Sequence, residues 1–249
     1  MMSAAIEWVD CCASTNSLMK QRADGLPHAA VIAAREQTAG RGQRGNSWEA
    51  EPGRNLTFSM LLRPAGMPAV RQFEISMLAA LALATVVERH LGPQAQVDVK
   101  WPNDIYVADR KLAGTLIECS LQGSSIGYLV LGVGLNVNQT RFLSDAPNPV
   151  SLAMIAGHDF ELEPLMQEIA QEIAGQMAIY EDDPDFDALH HYYMERLWRR
   201  RGIHPWRDAA TGEVFDASIA DVLPTGLLRL RKPDGTLRDY EFKQISAVL

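Results

Sequence analysis

Period-two alternation and 3.6-residue recurrence take turns along this chain, and the order in which they do so predicts its architecture. Ser14, Thr15 and Asn16 make an N-cap cluster before a short helix over 17–23 that Gly25 and Pro27 would end. Residues 29–34 are a small apolar run, and 55–63 set Leu56, Phe58, Met60 and Leu62 against polar or lesser neighbours, so both read as strands. After Pro64 and Pro68 comes a long helix over about 70–91, closed by Gly92 and Pro93. Residues 97–101, 104–107, 113–121 and 128–137 are again strand-like, with short turns at Ala108-Asp109 and Gln122-Gly123-Ser124. Leu162, Leu165, Met166, Ile169, Ala170, Ile173, Ala174 and Met177 then follow helical spacing, the core-facing stripe of an amphipathic helix. A further helix over 187–200 gives way to strands at 213–222, 227–231 and 238–242, the last pair joined by the hairpin signal Lys232-Pro233-Asp234-Gly235.

Runs of strands with a few segregated helices indicate α+β, a mixed sheet flanked by helices, rather than a wound βαβ sheet. A large domain over 1–195 and a small all-β domain over 196–249 are expected. The length of 249 residues, 47% hydrophobic and 22% charged, suits one large core or a large domain plus a small one. The longest apolar stretch, 77–87, is too short to span a bilayer. Residues 1–14 carry no basic side chain before their apolar positions and make a poor secretory signal, so the cytoplasm is the expected location, with no membrane partner.

A net charge of −8 argues against a nonspecific nucleic-acid binder. Ten of the acids fall between His158 and Asp187 without a Lys or Arg among them, which reads as a solvated helix face and loop and leaves room for a positive patch elsewhere. Cys11, Cys12 and Cys119 are an odd count in no zinc or disulfide spacing, and no His signature marks one as a nucleophile.

The chemistry concentrates in two segments. Gly40-Arg41-Gly42-Gln43-Arg44-Gly45, with Trp48, puts three glycines and two arginines in a stretch without an acid, a composition that lets backbone N–H groups and guanidinium forks close round an anion. Lys100-Trp101-Pro102-Asn103-Asp104, followed by Arg110-Lys111-Leu112-Ala113-Gly114, supplies ammonium groups, an amide and a carboxylate. Alone, each has a plain alternative: a glycine turn, a strand end stopped by Pro102, a charged hairpin tip. Gly40, Gly42 and Gly45 also match the spacing of dinucleotide-binding loops, but no helix opens at Gly45, and no Gly-Lys-Ser/Thr of a Walker loop occurs.

Taken together with Ser14-Thr15-Asn16, Gln37, Asn55-Leu56 and Gly132-Val133-Gly134-Leu135-Asn136, these segments resemble, in order and spacing, the signature set of biotin protein ligases. The resemblance runs from about Ser14 to Asn138 and returns faintly in the terminal β region, where such enzymes carry an SH3-like barrel. It implies two steps: biotin and ATP form biotinyl-5′-adenylate and pyrophosphate, with Mg²⁺ offsetting the repulsion of two anions, and a lysine of a biotin carboxyl carrier domain, from acetyl-CoA carboxylase or a related carboxylase, then takes the biotinyl group. Ser14, Thr15, Asn16 and Gln37 would be the polar edge facing biotin's ureido ring, with Gly40, Gly42, Gln43, Trp48 and Gly114 completing the biotin site. Arg41, Arg44 and Lys111 would meet biotin's carboxylate and the phosphates, Lys100, Asn103 and Asn136 the nucleotide, and Asp104 the acceptor amine. No protein side chain is implied as a direct metal ligand. Thirteen residues precede Ser14, too few for a DNA-binding domain, so the monofunctional type and no DNA partner are expected. Edge strands of such sheets often support a homodimer. Lipoate or octanoate ligation and noncatalytic biotin binding stand as alternative functions.

One departure carries a prediction. Gln43 stands where members of this family often have arginine, so loop closure and retention of the adenylate should be weaker here. Biotinylation of a noncognate protein should therefore fall in Gln43→Arg; equal retention in both forms would refute the idea.

Overall fold

The computed structural model describes residues 6–144 and 148–248, the side chain of Arg44 excepted. Seven strands, β1 (Ile6–Cys12), β2 (Val31–Gln37), β3 (Leu56–Leu62), β4 (Val97–Lys100), β5 (Asp104–Val107), β6 (Arg110–Gln122) and β7 (Ser125–Leu135), form one sheet in the order β1-β2-β3-β7-β6-β5-β4. The β1/β2 pair at one edge is parallel and the other neighbours are antiparallel.

Strand alternation divides the sheet between two cores. Val31, Ala33, Phe58, Met60, Leu62, Leu129, Leu131 and Val133 belong to the main cluster, while Ile32, Leu61 and Val130, from the same strands, join Met19 and Ala23 in a smaller one under helix α1 (Thr15–Arg22). Both faces being covered, β3 is buried at all seven positions. The main face carries α2 (Gln72–Leu91), α4 (Leu162–Asp182) and α5 (Phe186–Glu195), with the single turn α3 (Leu152–Ala156) between strand and helix layers. Gly92 ends α2 at φ +82°, its N–H returning to Glu88 O at 2.8 Å.

Five more strands, β8 (His204–Asp208), β9 (Val214–Val222), β10 (Leu228–Arg231), β11 (Leu237–Tyr240) and β12 (Ile245–Ala247), make an antiparallel sheet in the order β11-β10-β9-β8-β12. It is docked through α2 and the β4/β5 turn. Trp101 Nε1 donates to Gly226 O at 2.9 Å, and a Cβ at Gly226 would stand 2.7 Å from the Phe73 ring.

The α+β architecture matches the sequence pattern, including the helix that buries most of 77–87, with three differences. Strand β1 was not foreseen, because Ile6–Cys12 is half-exposed, carries Glu7 and Asp10, and exists by pairing with β2. The expected helix over 187–200 stops at Glu195, since Arg196 O and Trp198 N hydrogen-bond Val99 at 2.7 and 2.9 Å. Strands β8 and β12 escape the pattern, the first holding Pro205 and the second only three residues long. The stretch 77–87 lies inside a helix, Ala69–Leu91, that by length and composition could cross a bilayer, and whose apolar positions here pack in the main core.

One polar contact inside that core is testable. The Glu74 side chain is 5% exposed, lies 2.8 Å from Arg71 Nε, and accepts from Tyr180 Oη at 2.9 Å, joining α2 to α4. Removing it takes away the acceptor of the Tyr180 hydroxyl, which keeps only the 3.3 Å hydrogen bond it receives from Arg71 Nη2, while Arg71, 36% exposed, can rehydrate. Glu74→Ala should thus lower the unfolding free energy by about 1–3 kcal/mol, less than for a fully buried pair; an unchanged urea midpoint would show the triad to be idle.

Candidate active site

The site begins as a stretch of sheet thinned of side chains by three glycines. Thr57 of β3, Gly134 of β7, Gly114 of β6 and Asp104 of β5 lie on one line of cross-strand partners, and Ser59, Gly132 and Leu116 on the next line of that face. The three glycines leave bare backbone, and neighbouring elements fill the space. A Cβ on Gly132 would collide with Asn16 Oδ1, one on Gly134 with the Trp48 ring, and one on Gly114 would stand 2.9 Å from Asp104 Oδ1. Over these lines opens a cavity of about 860 Å³, within the range for small-molecule sites.

Its polar edge is the start of α1. Ser14 takes the N-cap place but makes no side-chain cap hydrogen bond, and Ser14, Thr15 and Asn16 are buried and line the cavity. Gln37 Oε1 accepts from Thr15 N at 2.7 Å and Thr15 Oγ1 at 3.1 Å. Ser59 Oγ sits 2.8 Å from Thr15 Oγ1 and 2.6 Å from Asn16 Oδ1, and Asn16 Nδ2 donates to Glu118 Oε2 at 3.0 Å. A run that looks like an ordinary helix cap thus forms a hydrogen-bonded polar wall.

The glycine loop closes on itself above the sheet. Gly42 N donates to Asn46 O at 2.7 Å and Trp48 N to Gly40 O at 3.0 Å. A Cβ at Gly40 would meet Trp48 O at 2.5 Å, so the turn needs glycine there. Arg41, Gly42, Gln43 and Trp48 line the cavity; Gly40 supports them, and the side chain of Arg44 falls outside the described atoms. Arg41 Nη2 lies 2.6 Å from Glu118 Oε2.

Lys111 and Asp104 meet at 2.7 Å between Nζ and Oδ2, with Lys111 Nζ 5.7 Å from the centre of the Trp48 ring. Lys100, opposite Asp104 in the β4/β5 hairpin, donates to Tyr106 Oη at 3.0 Å and lies against the Tyr106 and Trp198 rings. Burial, only partly offset by the charge of Asp104, holds its ammonium below the usual lysine range, and burial pushes the Tyr106 hydroxyl up to about 12. Asn103 reaches the lining, but its amide is bonded to Thr115 O. Asn136 lies outside the lining: its Nδ2 donates to Val150 O at 3.0 Å, two residues on from Asn148, which does line the cavity.

Fold and site together can be set beside known proteins. A model of the biotin/lipoate A/B protein ligase family matches residues 8–136. The chain belongs to this family. A biotin--[acetyl-CoA-carboxylase] ligase of Paracoccus denitrificans is 35% identical over 165 residues, 65% of this chain and 68% of that protein. The bifunctional ligase/repressor BirA of Bacillus subtilis is 30% identical over 175 residues, and the chain spans about half, 52%, of its length. Among solved structures, the biotin protein ligase of Aquifex aeolicus in complex with biotin and ATP superposes with a TM-score of 0.79 at 20% identity, covering 97% of each chain, a likeness of fold.

Sequence reasoning missed several lining residues of this ligase fold. Thr57, Tyr106, Ser144, Asn148 and Phe242 line the cavity without belonging to a recognisable motif. The strand period would have found Thr57, since Thr57 and Ser59 are polar positions on an otherwise apolar strand. Phe242 could not be found that way, for it arrives from the C-terminal sheet.

The bare sheet face sets an expectation. Gly114→Ala should press on both members of the Asp104–Lys111 pair, whose nearest atoms stand 2.9 and 3.5 Å from the new Cβ, and reduce adenylation at least tenfold while melting temperature changes little. A parallel loss of stability and activity would mean that the glycine serves folding alone.

Proposed function

We propose that this chain is an ATP-dependent biotin–protein ligase that makes biotinyl-5′-adenylate and transfers the biotinyl group to a lysine of a biotin carboxyl carrier domain, as in acetyl-CoA carboxylase. The observation that carries this reading is the layout along β6. The Lys111–Asp104 pair meets the sheet at Gly114, and the polar wall of α1 meets it through Asn16 at Leu116 and Glu118. Gly114 and Glu118 are about 13 Å apart at the rise of a β-strand. That suits an acid with a polar ring at one end and a carboxylate at the other.

In the first step a carboxylate oxygen of biotin attacks the α-phosphorus of ATP, the P–O bond to the β-phosphate breaks, and pyrophosphate leaves. Lys111 and Arg41 offset the repulsion between the two anions, with Arg44 of the same loop, and Trp48 shields the reacting groups from water. Asp104 neutralises Lys111 until an anion arrives. Once Lys111 turns to the acyl phosphate, Asp104 is left to orient the acceptor lysine and accept its proton. The amine then attacks the carbonyl carbon, an amide forms and AMP leaves. Mg²⁺ accompanying ATP would offset the charge of the phosphates. Residues 1–195 form the catalytic unit and 196–249 the C-terminal β unit, which contributes Phe242 to the cavity.

Purified protein with ATP and Mg²⁺ should release pyrophosphate with biotin and leave a single +biotinyl adduct on an added carrier domain. Release with lipoate or octanoate instead would move the substrate to the other branch of the family, and biotin binding without release would make the chain a binding protein. Asp104→Asn should slow transfer about 10²-fold while pyrophosphate release falls far less; equal losses in both half-reactions would remove Asp104 from the transfer step.

A further inference from the structure

Glu118 is used by none of the steps above and is not among the residues lining the cavity. It nevertheless gathers donors from two other parts of the chain. Asn16 Nδ2 lies 3.0 Å from Oε2, Lys20 Nζ 3.1 Å from Oε1, and Arg41 Nη2 2.6 Å from Oε2. The first two come from α1 and the third from the glycine loop, while Glu118 itself sits on β6. Lys20 and Arg41 are 46% and 42% exposed at their side chains, but Glu118 is only 22% exposed. Burial would raise its carboxyl, yet the hydrogen bonds from Asn16 and Lys20 and the charge of Arg41 more than offset this and hold it below the usual carboxylate range.

We propose that Glu118 is a positioning residue that fastens the glycine loop to the sheet through Arg41 and so sets how long the acyl adenylate stays enclosed. The inference rests on the adenylating reading of the cavity. Two features favour a role in loop closure over a purely local one. The loop is joined internally by the Gly42–Asn46 and Gly40–Trp48 hydrogen bonds, so a tether at Arg41 restrains it as a unit. A guanidinium carries five N–H donors, and a single Nη group engaged by Glu118 leaves the fork able to serve an anion at the same time. Carboxylate and phosphate can then share one arginine, with Glu118 fixing where that arginine stands before the ligand arrives.

The competing role is local. Glu118 also orients the Asn16 amide, part of the polar wall, and would then govern affinity for the acid rather than retention of its adenylate. Glu118→Gln keeps shape and removes charge, and hydrogen–deuterium exchange of peptide 40–48 in the unliganded protein reads the tether without any need for turnover. Exchange there should quicken about two- to fivefold, the range for a partly exposed ion pair. Escape of preformed adenylate, read as biotinylation of a noncognate protein, should rise by a similar factor with the biotin KM within twofold of wild type. In an Arg41→Gln background the same change should add nothing to exchange. Unchanged exchange, a loss carried wholly by KM, or an undiminished effect in the Arg41→Gln background would each overturn the proposal. If the wild-type protein made no adenylate from biotin and ATP, the functional reading would fall, while the exchange comparison would still decide whether Glu118 holds the loop.

Discussion

Everything about this cavity depends on backbone left uncovered. In a sheet buried on both sides, side chains from the helices normally meet side chains from the strands; on β6 and β7 the glycines at 114, 132 and 134 remove one partner. Asn16 and Trp48 can then approach the strands to distances that any Cβ would forbid. The cavity is a consequence of this thinning, and the side chains that border it are held in position by the same close approach.

Most polar groups named at the site are paired before a ligand arrives, Trp48 Nε1 and Thr115 Oγ1 being buried there without a hydrogen-bond partner. Asp104 holds Lys111, Glu118 holds Arg41, Gln37 holds Thr15, and Ser59 bridges Thr15 and Asn16. Isolated, such buried or half-buried groups would cost stability. Paired, they let one region carry cations, carboxylates and amides together, and exchange one partner for another when an anion enters. Lys100 shows the limit of this arrangement: half-buried at the cavity wall, with its ammonium on the Tyr106 hydroxyl and against two rings, it is well placed to fix the hairpin that carries Asp104.

Much of the fold was legible because local pattern and final burial agree. The apolar alternation of 55–63 became a strand with Phe58, Met60 and Leu62 on one core, and the stripe from Leu162 to Met177 became the buried face of α4. Where pattern and outcome parted, pairing with a distant segment decided. Ile6–Cys12 is a strand because Val31–Gln37 lies beside it, and α5 ends at Glu195 because Arg196 and Trp198 bond to Val99. Neither neighbour can be read from the segment itself.

The sequence by itself determined most of the element types, the mixed sheet with an all-β end, and the residues able to carry the chemistry: the glycine and arginine loop, Lys111 with Asp104, and the polar run at Ser14. Those follow from short-range periodicity, from the conformational freedom of glycine and from the chemistry of charged groups, all of which act over a few residues. Only the tertiary structure decided which of them meet. Residues 77 positions apart at Arg41 and Glu118, and Phe242 against the cavity of the larger sheet, are brought together by strand order and by docking of the C-terminal sheet. Such contacts are set by how whole faces pack, a property of the assembled core that no window of sequence contains.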